Sequence, residues 1–258
     1  MRVSWSGPSG EPIVTVTLDR PETRNAQSPA TWRALAAVGE SLPVGTRVVM
    51  VRAAGTVFSS GLDLSTFAPS PSPQADNENM LDSINAVDDV QAAELIRGFQ
   101  GAFTWLRDRD DIISIAVVAG AAVGAGFQLA LSCDLMICTE DARFSMRETT
   151  LGLVPDLGGT QPLVSTVGYA RALDICVTGR WVDASEALAL GLATTVVAPE
   201  SLDTTVDDLA ATVLSKPATA VRATKAVLRA ALDNEVDSQR RIEREAQVGL
   251  LRDIIRKR

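Results

Sequence analysis

Residues 112–134 read IISIAVVAGAAVGAGFQLALSCD, and this stretch decides the fold. Its first part, residues 112–118, is apolar and rich in β-branched side chains, which predicts a buried strand. Three glycines between positions 120 and 126 then break the strand, and glycine allows two backbones to approach closely. Residues 127–131 continue as the start of a helix. The N-terminus of a helix carries unpaired N–H groups and a partial positive charge, so the turn is a candidate site for an anion or a developing oxyanion.

The glycine spacing alone does not settle a function. GxxxGxG matches neither the dinucleotide fingerprint nor the phosphate-binding loop, and glycine-rich turns between strand and helix also occur for packing alone. A related pattern stands earlier in the chain, where residues 58–64 read FSSGLDL after the apolar strand RVVMVR of residues 47–52. Strand, glycine turn and helix start therefore occur twice, which indicates stacked ββα or βα units.

Composition narrows the class of protein. A chain of 258 residues can bury a large core as one domain, with or without an appendage. Apolar runs are too short for a membrane helix, and the first residues show no apolar core of a signal peptide. Three cysteines without a CxxC spacing favour a reducing cytoplasm over disulfides or zinc. We therefore expect a cytoplasmic protein with no membrane partner.

The chain has no histidine, which excludes Ser-His-Asp and Cys-His catalysis and histidine-ligated metals. Proton transfer then falls to Asp, Glu, Tyr, Cys or Lys. The formal net charge of −8 disfavours broad nucleic-acid binding. From residue 199 onward the pattern predicts helices only, so we expect a core at residues 1–198 and a helical region at residues 199–258. Residues 69–78 are rich in Pro and Ser and predict a loop, of the kind that often forms a lid or pocket wall.

Several motifs in order resemble the crotonase superfamily, the enoyl-CoA hydratase/isomerase family. The resemblance spans nearly the whole chain and implies an α/β spiral of ββα units with a C-terminal helical trimerisation region. It also implies an acyl-CoA thioester substrate, self-association as a homotrimer or a dimer of trimers, and no cofactor, since coenzyme A is part of the substrate. The motifs are RNA at residues 24–26, FSSGLDL at 58–64, AGAAVGAGFQLALSCD at 119–134, FSMRETTLGLVPDLGGTQ at 144–161 and TGRWVDASEALALGLATTVV at 178–197.

The resemblance places two backbone N–H donors for a thioester oxyanion at Leu62 and Ala125. One such donor typically contributes about 3 kcal/mol to transition-state stabilisation. The family usually has glycine at the position of Ala125, and the added methyl group would narrow the acyl pocket without removing the N–H.

The main departure from the family is Gln128. Family hydratases use two glutamates to hold and activate water, and their positions here are Gln128 and Glu148. A glutamine can orient water but cannot exchange a proton at neutral pH. Family Δ3-Δ2 isomerases use a single glutamate at the position of Glu148, so isomerisation is our expected reaction and hydration the alternative. A non-catalytic acyl-CoA binder is the alternative of another class, and Glu148 would then be an ordinary charge after a strand.

Asp156 matches an aspartate that joins the glutamate in the family's dienoyl-CoA isomerases. It could equally cap the following helix. Arg24, Ser60, Asp63 and Lys225 match positions near coenzyme A, Lys225 from a neighbouring subunit, although each could also be a surface charge or a cap.

Overall fold

The computed structural model describes residues 3–6, 12–67 and 79–256, and the predicted loop at residues 69–78 lies outside these ranges. The strands of the described residues are β1 Val3–Ser6, β2 Ile13–Leu18, β3 Val48–Ala53, β4 Ile113–Val118, β5 Ala121–Val123, β6 Leu135–Thr139, β7 Arg143–Ser145, β8 Val182–Asp183 and β9 Thr195–Val197. The helices are α1 Pro29–Glu40, α2 Met80–Asn85, α3 Asp89–Asp108, α4 Ala125–Leu131, α5 Thr160–Val167, α6 Tyr169–Thr178, α7 Ala184–Ala189, α8 Leu202–Leu214, α9 Ala218–Ala230 and α10 Val236–Arg256.

The larger sheet has six strands in the order β1-β2-β3-β4-β6-β9. Only β1 is antiparallel to its neighbour, and the other pairs are parallel. Side chains of β3 alternate between the two faces of the sheet. Val49 and Val51 belong to the core cluster around Trp32. Val48 and Met50 belong to a second cluster under α8. A parallel sheet covered on both faces needs the continuous apolar strands that the sequence shows.

A second, smaller layer lies beyond the carboxyl ends of these strands. It contains the sheet β5-β7-β8, and single-residue parallel bridges join Gln27 to Leu62 and Ser59 to Ala122. Four successive strands of the large sheet, β2, β3, β4 and β6, are thus each followed by a pairing segment in the second layer. The predicted spiral of ββα units is confirmed.

The structure differs from the sequence-based prediction within the glycine-rich turn. Residues 119–126 were expected to form a turn, but β5 lies inside this stretch, between Gly120 and Gly124. Three residues are too few to show a period, and the strand exists because β7 and Ser59 satisfy its backbone groups.

The C-terminal helices pack unequally on the core. Helix α8 buries Leu202, Val206 and Ala210 against the large sheet. Helix α10 contains no buried residue and lies mainly along α9. The domain boundary at residue 198 stays a prediction. No helix in the described part of the chain is long and apolar enough to span a bilayer.

Candidate active site

The two glycine turns predicted to carry the site lie against each other. Ser59 donates its backbone N–H to Ala121 O at 3.0 Å, and Val123 donates to Ser59 O at 2.9 Å. Gly61 has φ 88°, and a Cβ added there would lie 2.6 Å from Val123 O and 3.6 Å from Ala125 N. Only glycine permits this backbone conformation and this approach at the same time. The loop after β3 is therefore held directly beside the start of α4.

Leu62 and Ala125, the two predicted oxyanion donors, follow these turns. Ala125 is the first residue of α4, where backbone N–H groups have no intrahelical acceptor. Neither N–H donates to an acceptor within the described residues. The structure thus brings the two predicted oxyanion donors to adjacent turns.

Glu148 lies beside the same turn and is buried, with 8% of its surface exposed. A Cβ added at Gly124 would lie 3.3 Å from Glu148 Oε1, which places the carboxylate next to the start of α4. Oε1 accepts a hydrogen bond of 2.6 Å from Gln128 Nε2. Oε2 is buried and has no hydrogen-bond partner among the described residues. Burial raises the pKa of Glu148, with a further contribution from the charge of Asp156, while hydrogen bonds from Gln128 and the backbone oppose the increase.

Gln128 is fully buried on α4, one turn after Ala125. Its side-chain oxygen accepts backbone N–H groups from Leu157 at 2.9 Å and Gly159 at 3.3 Å. The family resemblance assigned Gln128 and Glu148 to the same water site, but it did not indicate these two donors. Their only sequence signal is the Gly158-Gly159 pair, which permits a close backbone approach.

Asp156 lies on the same turn, half-buried. Its backbone carbonyl accepts a hydrogen bond of 2.8 Å from Gln100 Nε2. Burial raises the pKa of its carboxyl group. The N-cap of α5 is Gly159, so Asp156 does not cap that helix. The charge of Asp156 contributes to raising the pKa of Glu148.

Three of the predicted coenzyme A contacts lie around the Gly61 turn. Arg24 is exposed, with φ 53°, and its carbonyl accepts the Ser60 N–H at 2.9 Å. Asp63 accepts hydrogen bonds from Ser65 and forms an ion pair of 3.4 Å with Arg20. Burial by itself would raise the pKa of Asp63. The hydrogen bonds from Ser65 and the charge of Arg20 outweigh this effect, and the pKa is lowered.

Asn25 is a site-building residue whose role the sequence did not reveal. It is buried, with φ 54°, and its side-chain nitrogen donates to Ala54 O at 2.9 Å and Val57 O at 2.8 Å. These bonds hold the segment that leads into residues 58–64. The sequence indicated Asn25 only as part of the RNA motif at residues 24–26, and its positive φ, which asparagine tolerates well, is visible only in the structure.

Lys225 lies apart from this group. Its ammonium is buried and donates to Asp134 Oδ2 at 2.7 Å and to Ile112 O at 2.9 Å. A third, longer contact of 3.4 Å to Leu106 O gives each N–H of the ammonium an acceptor, and the contact of Lys225 with coenzyme A stays a prediction.

Known proteins resemble this chain along most of its length. A family model described as enoyl-CoA hydratase/isomerase matches residues 9–253. The chain belongs to this family. A relative in the enoyl-CoA hydratase/isomerase family is the peroxisomal Delta(3,5)-Delta(2,4)-dienoyl-CoA isomerase of Arabidopsis thaliana, 37% identical over 182 residues. That match covers 70% of this chain and 63% of the relative, so the chain spans less than two thirds of that protein's length.

Two further comparisons cover more of the chain. Carnitinyl-CoA dehydratase of Salmonella arizonae is 32% identical over 234 residues, which cover 88% of this chain and 80% of the relative. A Thermobifida fusca homologue solved in complex with acetoacetyl-CoA is 43% identical, with a TM-score of 0.89. That comparison covers 97% of this chain and 94% of the other. The crotonase fold of this enoyl-CoA hydratase/isomerase family member is thereby established.

Proposed function

We propose that this protein isomerises the double bond of an enoyl-CoA thioester from the Δ3 to the Δ2 position, with Glu148 as the single base. The observation that carries this proposal is the asymmetric pair at the site. Glu148 has one oxygen without a partner in the described part of the chain, and the neighbouring residue 128 is a neutral amide whose oxygen already accepts two N–H groups. Related proteins act on CoA thioesters, and the Thermobifida fusca homologue binds one, which supports the substrate class.

The proposed reaction uses the site's groups in a fixed order. The thioester oxygen binds the N–H groups of Leu62 and Ala125. Glu148 Oε2 removes a proton from C2 of the 3-enoyl thioester, and the electron pair delocalises into a dienolate with negative charge on the thioester oxygen. Glu148 then returns the proton at C4, so the double bond forms between C2 and C3 and the enzyme regains its starting state. Preorganised N–H donors stabilise this oxyanion.

The environment of Glu148 suits both half-reactions. A base that must first accept and then return a proton works best when its pKa lies near the operating pH. Burial moves the pKa of Glu148 upward, in the required direction. Hydration would instead need water held and deprotonated while another group protonates C2.

The direct test compares substrates. The protein is incubated with 3-enoyl-CoA and with 2-enoyl-CoA, and isomer and 3-hydroxyacyl products are quantified. We expect faster isomerisation than hydration, and Glu148→Gln should remove turnover while coenzyme A binding persists. Faster hydration would favour the hydratase alternative. Binding without turnover on any acyl-CoA would favour a non-catalytic acyl-CoA-binding protein.

A second candidate is the isomerisation of a conjugated dienoyl-CoA. It is favoured by Asp156, whose charge contributes to the raised pKa of Glu148. Two carboxyl groups can move a proton further along the acyl chain than one. Asp156→Asn should then abolish turnover of a 3,5-dienoyl-CoA but leave 3-enoyl-CoA turnover within a few-fold.

We also propose that the chain self-associates as a trimer or a dimer of trimers through its last two helices. The described part of α10 buries no residue, and apolar side chains stand exposed along α9, α10 and their connection. Exposed apolar patches of this kind mark protein interfaces. The residues concerned are Leu228, Leu232, Val248, Leu251, Ile254 and Ile255.

A further inference from the structure

We infer that Gln128 is a positioning residue that binds one oxygen of Glu148 and so makes the other oxygen, Oε2, the atom that carries the proton. The inference deepens the proposed function and rests on it for the meaning of the proton transfer. The hydrogen bonds of Gln128 are observed in the structure and do not depend on the proposed function. Gln128 bridges three elements: α4, the turn at residues 157–159, and the segment that begins at Glu148.

The orientation of the Gln128 amide follows from its partners. Leu157 and Gly159 present N–H groups, which can donate only to the carbonyl oxygen of the amide. The NH₂ group must then point the other way, toward Glu148 Oε1 at 2.6 Å. If the amide were flipped, its NH₂ group would face the N–H groups of Leu157 and Gly159, and its carbonyl oxygen would face the carboxylate of Glu148. Both contacts would be repulsive. Gln128 therefore acts on Glu148 only as a donor.

A fixed donor at Oε1 determines where a proton can bind on Glu148. A proton on Oε1 would point at the NH₂ group of Gln128, so the protonated acid carries its proton on Oε2. Oε2 has no protein partner among the described residues, so no protein donor competes there for the proton. The geometry divides the two carboxylate oxygens into one that is bound and one that reacts.

The same contacts set the position of the base relative to the oxyanion donors. Gln128 and Ala125 are separated by one turn of α4, and every residue of that helix is buried. A Cβ added at Gly159 would lie 2.7 Å from Gln128 Cγ, so the side chain has no room to move toward the turn. Glu148 is thus fixed to the helix whose first N–H is a proposed oxyanion donor.

The engaged amide also explains why residue 128 cannot hold a reacting water as an acceptor. Its carbonyl oxygen receives two N–H groups, and a carbonyl has two lone pairs. Positioning Glu148 is the function that remains to this side chain.

The test measures the titration of Glu148 itself, by carboxyl ¹³C NMR of glutamate-labelled protein, with Glu148→Gln to assign the signal. Gln128→Met keeps a side chain of similar length but loses all three hydrogen bonds. Since a donor to the carboxylate favours its ionised form, the variant should titrate at higher pH. The acid limb of the pH profile of kcat/KM for 3-enoyl-CoA should also move to higher pH. In addition, kcat should fall about tenfold or more with little change in KM, because a hydrogen bond to a charged group is lost.

Gln100→Met is the matched control. It removes the bond to Asp156 O, on the same turn, without touching Glu148. The titration of Glu148 should move much less in this variant than in Gln128→Met, since only the charge of Asp156 connects the lost bond to Glu148. An equal displacement in both variants, or none in Gln128→Met, would overturn the inference.

A third variant covers the case in which Gln128→Met does not fold. Gln128→Glu still offers oxygen acceptors to Leu157 and Gly159 but places a second carboxyl group beside Glu148. The two groups should then share one proton and titrate in two coupled steps. Independent titration would contradict the proposed contact. Because these titrations need no substrate, a protein that fails to isomerise any enoyl-CoA would refute the proposed function while leaving the positioning of Glu148 measurable.

Discussion

Lys225 Nζ lies 2.7 Å from Asp134 Oδ2, and this buried ion pair joins α9 to the turn that follows α4. Asp134 also accepts the backbone N–H of Ser114 at 2.8 Å, so the pair reaches β4. Burial raises the pKa of Asp134 and lowers that of Lys225, while their mutual attraction opposes both changes. The pair fixes a C-terminal helix to the strand and helix that build the site.

Removing one member of this pair should destabilise the fold strongly. Lys225→Met leaves the Asp134 carboxylate buried without its cation, and such changes cost about 3–5 kcal/mol. Urea unfolding measures the loss. Lys216→Met, at an exposed lysine just before α9, should change the free energy of unfolding by about 0.5 kcal/mol or less. Lys225→Met could instead change the free energy of unfolding as little as this control does and weaken coenzyme A binding. That result would support the predicted substrate role of Lys225.

Glu148→Gln should stabilise the folded protein at neutral and higher pH. Burial raises the folded-state pKa of Glu148. A carboxyl group with a raised pKa stabilises the fold fully only below its ordinary pKa, and this contribution is lost as the pH rises through the raised value. The variant should therefore have the higher Tm at about pH 8, and the difference should shrink toward about pH 4.

The exposed Glu245→Gln is a suitable control for this measurement, since its side chain lies on the outer part of α10. A Tm difference for Glu148→Gln that does not depend on pH would show that the carboxylate is not destabilised by burial.

Gln128→Glu should increase the hydration of 2-enoyl-CoA. The variant restores a second carboxyl group, and one positioned acid or base typically contributes about 10²–10⁴-fold. The N–H groups of Leu157 and Gly159 can bind a carboxylate as readily as the amide oxygen that they bind now. The check is the rate of 3-hydroxyacyl-CoA formation. A rate equal to that of the unaltered protein would mean that residue 128 does not decide between the two reactions.

Ala125→Pro should remove one oxyanion donor while leaving α4 intact. Proline is tolerated at the first position of a helix, which Ala125 occupies, but it has no N–H. Loss of one such donor typically lowers kcat by about 10²–10³-fold. Ala125→Gly keeps the N–H and should stay near the unaltered rate. A similar loss of kcat in both variants would mean that the loss arises from a changed acyl pocket and not from removal of the N–H group.

Self-association should depend on the exposed apolar side of α10. Ile254→Lys together with Leu251→Lys introduces two charges among exposed apolar residues, so light scattering at micromolar concentration should show a smaller species than the unaltered protein. Gln247→Lys, also exposed on α10, should leave the assembly unchanged. A monomeric unaltered protein would refute the proposal.

The large sheet could be predicted because its strands are buried on both faces and appear as continuous apolar runs. The strands predicted at residues 47–52 and 112–118 lie within one residue of the observed bounds of β3 and β4. The strand β5 was missed because its three residues lie between glycines and owe their structure to distant partners. The pairing of Lys225 with Asp134 was missed for the same reason, since 91 positions separate them.

In the candidate site, the residues could be predicted from the sequence, but the contacts between distant segments could not. Leu62, Ala125, Gln128 and Glu148 were identified through motifs that resemble the crotonase superfamily, and the structure brings the turns that carry them together. The hydrogen bonds that orient Gln128 come from a turn about thirty residues later, and no local pattern encodes them. Which oxygen of Glu148 is free could be learned only from the assembled geometry.

The close contact between Gly61 and the backbone at Val123 has an evolutionary consequence. Under the proposed function, both oxyanion donors belong to the main chain, so exchanging the side chains at positions 62 and 125 for anything but proline leaves the N–H groups in place. Descendants of this protein can therefore change the acyl pocket at these two positions and keep both N–H donors, with small side chains only at the buried position 125. Gly61 itself has no such freedom, because a Cβ there would lie 2.6 Å from Val123 O and push the two turns apart.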